Sequence, residues 1–173
     1  MKMFLAVIFT NFMQAELYWV DQERTLAIMP RPRAGDWLED EIASWKQRGL
    51  EVVASLLEPD EVIELGLEAE PELCGNTGIE FLSFPIPDRG VPAAKSDFVG
   101  FVSLLKERLL VERSVGIHCR MGVGRSAVVA ACLLIQRGIN PNEAFATIEK
   151  ARGLSVPDTE EQVDFVTQLR GAS

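Results

Sequence analysis

Short unbroken apolar runs alternate along this chain with longer stretches in which apolar residues recur three and four positions apart. These are the two rhythms of buried strands and amphipathic helices. Leu17-Tyr18-Trp19-Val20 and Thr25-Leu26-Ala27-Ile28-Met29 flank the polar residues 21–24 and predict a hairpin. The loop Pro30-Arg31-Pro32-Arg33-Ala34-Gly35 follows. Asp36 is then an N-cap candidate with Glu39 three residues on, so a capping box is expected to open a helix that runs to Arg48 and stops at Gly49. Residues 50–57 read as a buried strand, and residues 59–74 as one or two short helices broken near Gly66 and Pro71.

Residues 79–84 form the next strand run, ending in the loop Pro85-Ile86-Pro87-Asp88-Arg89-Gly90. Phe98, Phe101, Val102, Leu105 and Leu109 carry helical spacing through residues 96–112. A strand is expected at residues 115–119, and an apolar helix at 125–137 closed by Gly138. Asn140-Pro141-Asn142-Glu143 supplies a cap, a first-turn proline and a capping-box acid for a helix ending near Gly153, and residues 157–169 make the last helix. The alternation predicts a single α/β domain over residues 17–169, with a central mixed sheet of about four or five strands flanked by helices on both faces. Residues 1–16 stand apart as an N-terminal extension or an extra strand.

Composition narrows the function. The chain has 173 residues, 47% of them hydrophobic and 25% charged, with a formal net charge of −9. That acidity argues against a general grip on nucleic acid or an anionic membrane, while leaving room for a local anion site. The three cysteines, Cys74, Cys119 and Cys132, are an odd, irregularly spaced set, which suits a reducing compartment better than a disulfide framework. No apolar run reaches the length of a membrane span. Lys2 and the apolar residues 3–9 loosely imitate a signal peptide, but the apolar part is short and Met13 fits the cleavage pattern poorly, so a cytoplasmic location is expected; separately, a monomer is expected.

One segment concentrates the chemistry: Val115-Gly116-Ile117-His118-Cys119-Arg120-Met121-Gly122-Val123-Gly124-Arg125-Ser126. A strand enters a tight loop with two glycines, and the loop enters a helix. Backbone N–H groups of such a loop, with the helix N-terminus behind them, form an anion cradle. Residues Arg120, Met121, Gly122, Val123 and Gly124 would line it, and Arg125 would lay a planar fork of donors on two phosphate oxygens. Cys119 opens the same loop, where a helix terminus and an arginine favour the nucleophilic thiolate. His118 is the only histidine of the chain. As the strand neighbour of Cys119 it points to the opposite face, which suits an orienting role beneath the loop better than proton transfer to the thiol.

His118-Cys119, five residues, Arg125 and Ser126 resemble the signature of the cysteine-based protein-tyrosine phosphatases, and the short chain is similar to their compact dual-specificity branch. Phe84-Pro85-Ile86-Pro87-Asp88 and Val156-Pro157-Asp158-Thr159-Glu160-Glu161-Gln162 resemble that branch too, in particular members like the cyclin-dependent-kinase-associated phosphatase. The resemblance implies the phosphotyrosine protein phosphatase II-like fold and hydrolysis of phosphate monoesters without metal or other cofactor. Cys119 would attack phosphorus, and Arg125 with the loop amides would hold the equatorial oxygens. Asp88 would act as general acid and then base, and Ser126 would donate to the Cys119 sulfur. Gln162 would position water, or serve as a capping-box residue with Thr159.

The expected substrate is phosphotyrosine in a protein or peptide, with phosphoserine and phosphothreonine as further candidates; phosphate, sulfate or vanadate-like anions should seat in the loop. A phosphoinositide, small-metabolite or RNA 5′-phosphate substrate is the alternative within enzymes. The acidic balance weighs against RNA. The resemblance weighs against phosphoinositides, since relatives directed at them look richer in lysine within this loop, which here has none. A catalytically dead phosphate-binding module would need neither Cys119 nor Asp88.

Overall fold

The computed structural model describes residues 15–170; the signal-peptide question and most of the proposed N-terminal extension lie outside the described residues. The hairpin forms as expected. Strand β1 (Tyr18–Trp19) runs antiparallel to β2 (Leu26–Met29). Asp21 closes the turn by accepting the backbone N–H groups of Thr25 and Leu26 at 2.8 and 3.1 Å. Strands β3 (Val52–Ser55), β4 (Glu80–Ser83) and β5 (Val115–His118) complete a mixed five-stranded sheet in the order β1-β2-β5-β3-β4. All neighbours but β1 are parallel, and β5 is central, between β2 and β3.

The period of two in each strand divides the core. Leu26, Ile28, Val52, Ala54, Val115 and Ile117 face one apolar layer, while Ala27, Met29 and Val53 face the other. The first layer is closed by α4 (Lys95–Leu110), α5 (Arg125–Gln136), α6 (Pro141–Arg152) and α7 (Glu160–Arg170). The second is closed chiefly by α1 (Leu38–Gln47) and α3 (Glu70–Asn76), with Leu38, Ile42, Trp45 and Cys74 buried in it. Helix α5 is buried along residues 125–134, the expected environment for a helix apolar on every side. The predicted α/β sandwich therefore stands.

Helix boundaries depart from expectation in three places. Asp36 lies inside a 3-10 turn (Gly35–Trp37) and caps nothing, so the capping box with Glu39 is absent. Residues 59–74 do divide at Gly66, whose φ of +66° ends α2 (Pro59–Glu64). Pro71, however, opens α3 instead of breaking it, because a first-turn proline lacks only an N–H that has no helical partner anyway. Helix α7 begins at Glu160 and not at Pro157, with Thr159 Oγ1 accepting the Gln162 N–H at 3.3 Å. The helix at 141–152 is as read: Asn140 Oδ1 accepts the Glu143 N–H at 3.0 Å, and left-handed Gly153 ends it.

Candidate active site

Strand β5 delivers Cys119 to the carboxyl edge of the sheet, where residues 119–124 turn directly into α5. Four consecutive carbonyls of this loop face nitrogen atoms outside it, three of them accepting hydrogen bonds. Cys119 O faces His118 Nδ1 at 3.4 Å, and Arg120 O accepts the Arg31 N–H at 3.3 Å. Met121 O and Gly122 O accept Arg152 Nη2 and Nε, each at 3.1 Å. A trans peptide is planar, so each N–H points opposite to the carbonyl before it. The amides of residues 120–123 are thereby turned the other way, and none donates to a protein acceptor among the described residues. Such a run of uncommitted donors is an oxyanion nest.

The two loop glycines are constrained unequally, Gly122 by backbone and Gly124 by side-chain ends that can shift. Gly122 has φ +67°, and a Cβ there would lie 2.4 Å from the backbone C and O of Met29. A Cβ on Gly124 would lie 2.2 Å from Asp158 Oδ2 and 3.1 Å from Gln162 Nε2. The loop is thus wedged between the end of β2 and the start of α7.

Cys119 is 3% exposed and Arg125 2% exposed. Arg125 reaches Glu61 through both Nη atoms, at 2.6 and 3.0 Å, and Asp88 Oδ1 through Nη2 at 3.0 Å. Its Nη1 also donates to Ile86 O at 3.0 Å and approaches Leu56 O at 3.4 Å. The fork expected on phosphate oxygens is therefore turned here onto Glu61 and Asp88. Burial works against the guanidinium charge, but the hydrogen bonds to Glu61 and the negative charges of Cys119, Glu61 and Asp88 hold its pKa above the ordinary value. Asp88 lies on the loop after β4 with a half-exposed side chain, so the structure brings Asp88, Arg125 and the Cys119 loop together.

A family described as polymorphic toxin system, DSP-PTPase phosphatase, matches residues 27–139, which include Asp88 and the whole loop from Cys119 to Ser126. The chain belongs to the DSP-PTPase phosphatase family. Among curated relatives, cyclin-dependent kinase inhibitor 3 from Rattus norvegicus is 35% identical over 95 residues, 54% of this chain and 44% of that protein. The chain thus spans less than half the length of that relative. Among solved structures, a kinase-associated phosphatase with its catalytic-site cysteine replaced by serine is similar at a TM-score of 0.82 and 22% identity, covering 92% of this chain and 96% of that one. The active form of Tk-PTP is similar at 0.74 and 25%, covering 91% and 97%. The resemblance read from the sequence is borne out for family and fold.

In this DSP-PTPase domain the remaining expected residues divide. His118 is fully buried on the face opposite the Cys119 side chain, its ring 6.2 Å from that of Trp45, as the strand period required. Arg120 turns its side chain to Glu61 (3.2 Å) and Glu64 (3.3 and 3.4 Å), leaving only its backbone amide for an anion, and the Met121 side chain is exposed. Ser126 Oγ is buried without a hydrogen-bond partner among the described residues, so the bond expected to the Cys119 sulfur is not formed.

Gln162 is buried and forms the capping box: its Oε1 accepts the Asp158 and Thr159 N–H groups at 3.0 and 3.3 Å. Its Nε2 donates to Gly90 O at 3.0 Å, which ties the Asp88 loop to the start of α7 and leaves that amide committed in this state. Sequence reasoning missed Glu61, Glu70 and Arg152. Arg152, which holds two loop carbonyls, also lies 4.3 Å over the Tyr18 ring.

Proposed function

We propose that this chain hydrolyses phosphate monoesters, with phosphotyrosine in proteins as the principal substrate and phosphoserine and phosphothreonine as further ones, through a cysteinyl-phosphate on Cys119. One observation supports the reading above the others: the loop carbonyls from Cys119 to Gly122 face nitrogens outside the loop, three of them hydrogen-bonded, beside a buried cysteine and arginine, and the amides of residues 120–123 are left uncommitted. A nest of donors next to a nucleophile fits a PO3 group passing between two ligands.

In this mechanism the substrate dianion enters the nest and takes Arg125 Nη2 from Asp88, now 3.0 Å away. The exchange frees the Asp88 carboxyl to carry a proton to the leaving oxygen. Cys119 Sγ bonds to phosphorus as the phosphorus–oxygen ester bond breaks, and the alcohol or phenol departs with that proton. Asp88, now a carboxylate, takes a proton from water as its oxygen attacks the cysteinyl-phosphate, releasing phosphate and restoring the thiolate. Ser126 would change rotamer to donate to the departing sulfur. Gln162 is assigned to holding the acid loop in place. A protein substrate is favoured over a phosphoinositide because the loop's one extra cation, Arg120, is already paired with Glu61 and Glu64.

Turnover of an aryl phosphate in the presence of a chelator tests the proposal. Cys119→Ser should abolish turnover while retaining vanadate binding; turnover at the wild-type rate in that variant refutes the cysteinyl-phosphate.

A further inference from the structure

Beneath the loop lie three buried polar atoms that make no well-aligned hydrogen bond among the described residues: Trp45 Nε1, His118 Nε2 and Glu70 Oε1. The last two are nevertheless 2.9 Å apart, with side chains 0% and 2% exposed. At that separation two facing lone pairs repel, so the contact is stable only with a proton between them, though off the ideal hydrogen-bond line. The other ring nitrogen, Nδ1, faces Cys119 O at 3.4 Å, an acceptor with no hydrogen to give.

A neutral imidazole carries one N–H, and here both nitrogens face acceptors when Glu70 is ionised. The surrounding charges decide where the proton belongs. His118 is faced by the Glu70 carboxyl from α3 and by the Cys119 backbone carbonyl from the loop, while the Cys119 thiol lies on the opposite face of the strand. Cys74, one turn along α3 from Glu70, is held neutral because burial pushes its thiol up to about 12. Trp45, from α1, carries no charge. Glu70 has no other ion-pair partner among the described residues.

We propose that Glu70 is a positioning residue for the nucleophile: its carboxylate holds His118 as an imidazolium whose Nδ1–H fixes the Cys119 carbonyl, and so turns the Arg120 amide into the oxyanion nest. The link runs through one peptide plane, since the Cys119 carbonyl and Arg120 N–H point in opposite directions. The functional consequence rests on the phosphatase reading; the protonation state of the ring does not.

The chain has a single histidine, so a sample labelled with nitrogen-15 in histidine gives one unambiguous pair of ring nitrogen signals. Both are expected protonated at pH 7, and a ring with one bare nitrogen overturns the proposal. Glu70→Gln is expected to return the ring to the neutral form and to weaken calorimetric vanadate binding about five- to tenfold, the scale of one misaligned hydrogen bond. Glu70→Asp should recover part of both. Unchanged vanadate binding in a Glu70→Gln protein whose ring is neutral also overturns it. If Glu70→Gln does not fold, the wild-type spectrum and Glu70→Asp still decide. Failure of the wild-type protein to turn over any phosphate ester would sink the phosphatase reading while leaving the ring measurement intact.

Discussion

Glu61→Gln removes the carboxylate that backs the Arg125 guanidinium and leaves its shape. Glu61 accepts both Nη atoms of Arg125 at 2.6 and 3.0 Å, Arg120 Nε at 3.2 Å and the Glu58 N–H at 3.0 Å. Burial alone would raise this carboxyl; the hydrogen bonds from Arg125, the Glu58 backbone and Arg120, with the Arg125 charge, outweigh it and bring the pKa from 4.5 down to about 2. A depression of that size corresponds to ~3 kcal/mol of stability at neutral pH. Removing one member of a buried ion pair costs about 3–5 kcal/mol by general experience, and the Asp88 contact left on Arg125 argues for the lower end.

The sign follows from the folded value lying below the unfolded one. The stabilisation is complete above about pH 4.5 and is lost as pH falls toward about 2. The variant cannot lose what it lacks, so the two proteins should differ by ~3 kcal/mol at pH 7 and converge under acid. Urea unfolding followed by tryptophan fluorescence reads this directly, since the chain has three tryptophans. With a slope of about 2 kcal/mol per molar, the midpoint should fall by roughly 1.5 M at pH 7. Equal midpoints at pH 7, or a gap that stays constant down to pH 3, refutes the electrostatic reasoning.

Alkylation should discriminate among the cysteines: burial pushes Cys74 and Cys132 up to about 12, so iodoacetamide at pH 7 should label Cys119 alone in the folded protein, as peptide mass mapping reads; labelling of Cys74 or Cys132 at a comparable rate contradicts the burial argument. Asp88→Ala should slow alkyl phosphates far more than nitrophenyl phosphate, since only a poor leaving group needs the proton; an equal loss in kcat for both would take the general-acid role from Asp88. Gly122→Ala places a Cβ 2.4 Å from the Met29 backbone at φ +67°, and should cost at least ~2 kcal/mol and about tenfold in vanadate affinity; wild-type values for both in melting and calorimetry would mean that the loop yields freely.

What could be read from the sequence was local. The run from Val115 to Ser126 is continuous, so strand, loop and helix, and the proposed roles of Cys119 and Arg125, were read from neighbours alone, and the strand period placed His118 and Cys119 on opposite faces. Asp36 failed as a cap for a local reason too: the chain enters α1 through a 3-10 turn that starts one residue earlier, at Gly35. Glu61, Glu70 and Arg152 were not legible because each acts across sheet or helix contacts. In a chain with 26 acidic residues, two more glutamates at the starts of short helices look like ordinary first-turn acids.

A signal for Glu61 nevertheless existed, in the direction of the strands. Parallel strands end on one edge, so segments that follow β2, β3, β4 and β5 must meet there, and ligands of open α/β sheets bind outside those carboxyl ends. Arg31 follows β2, Glu61 follows β3, Asp88 follows β4, and Cys119 and Arg125 follow β5. With β5 central and β3 beside it, a carboxylate in the first turn after β3 is the nearest acid to an arginine that begins the helix after β5. The same edge is where a protein of net charge −9 would present the proposed anion site. Glu61, buried, holds the guanidinium in place, and Asp88 is the one of its two carboxylate partners that lies half-exposed, the one the proposed mechanism has an arriving phosphate displace.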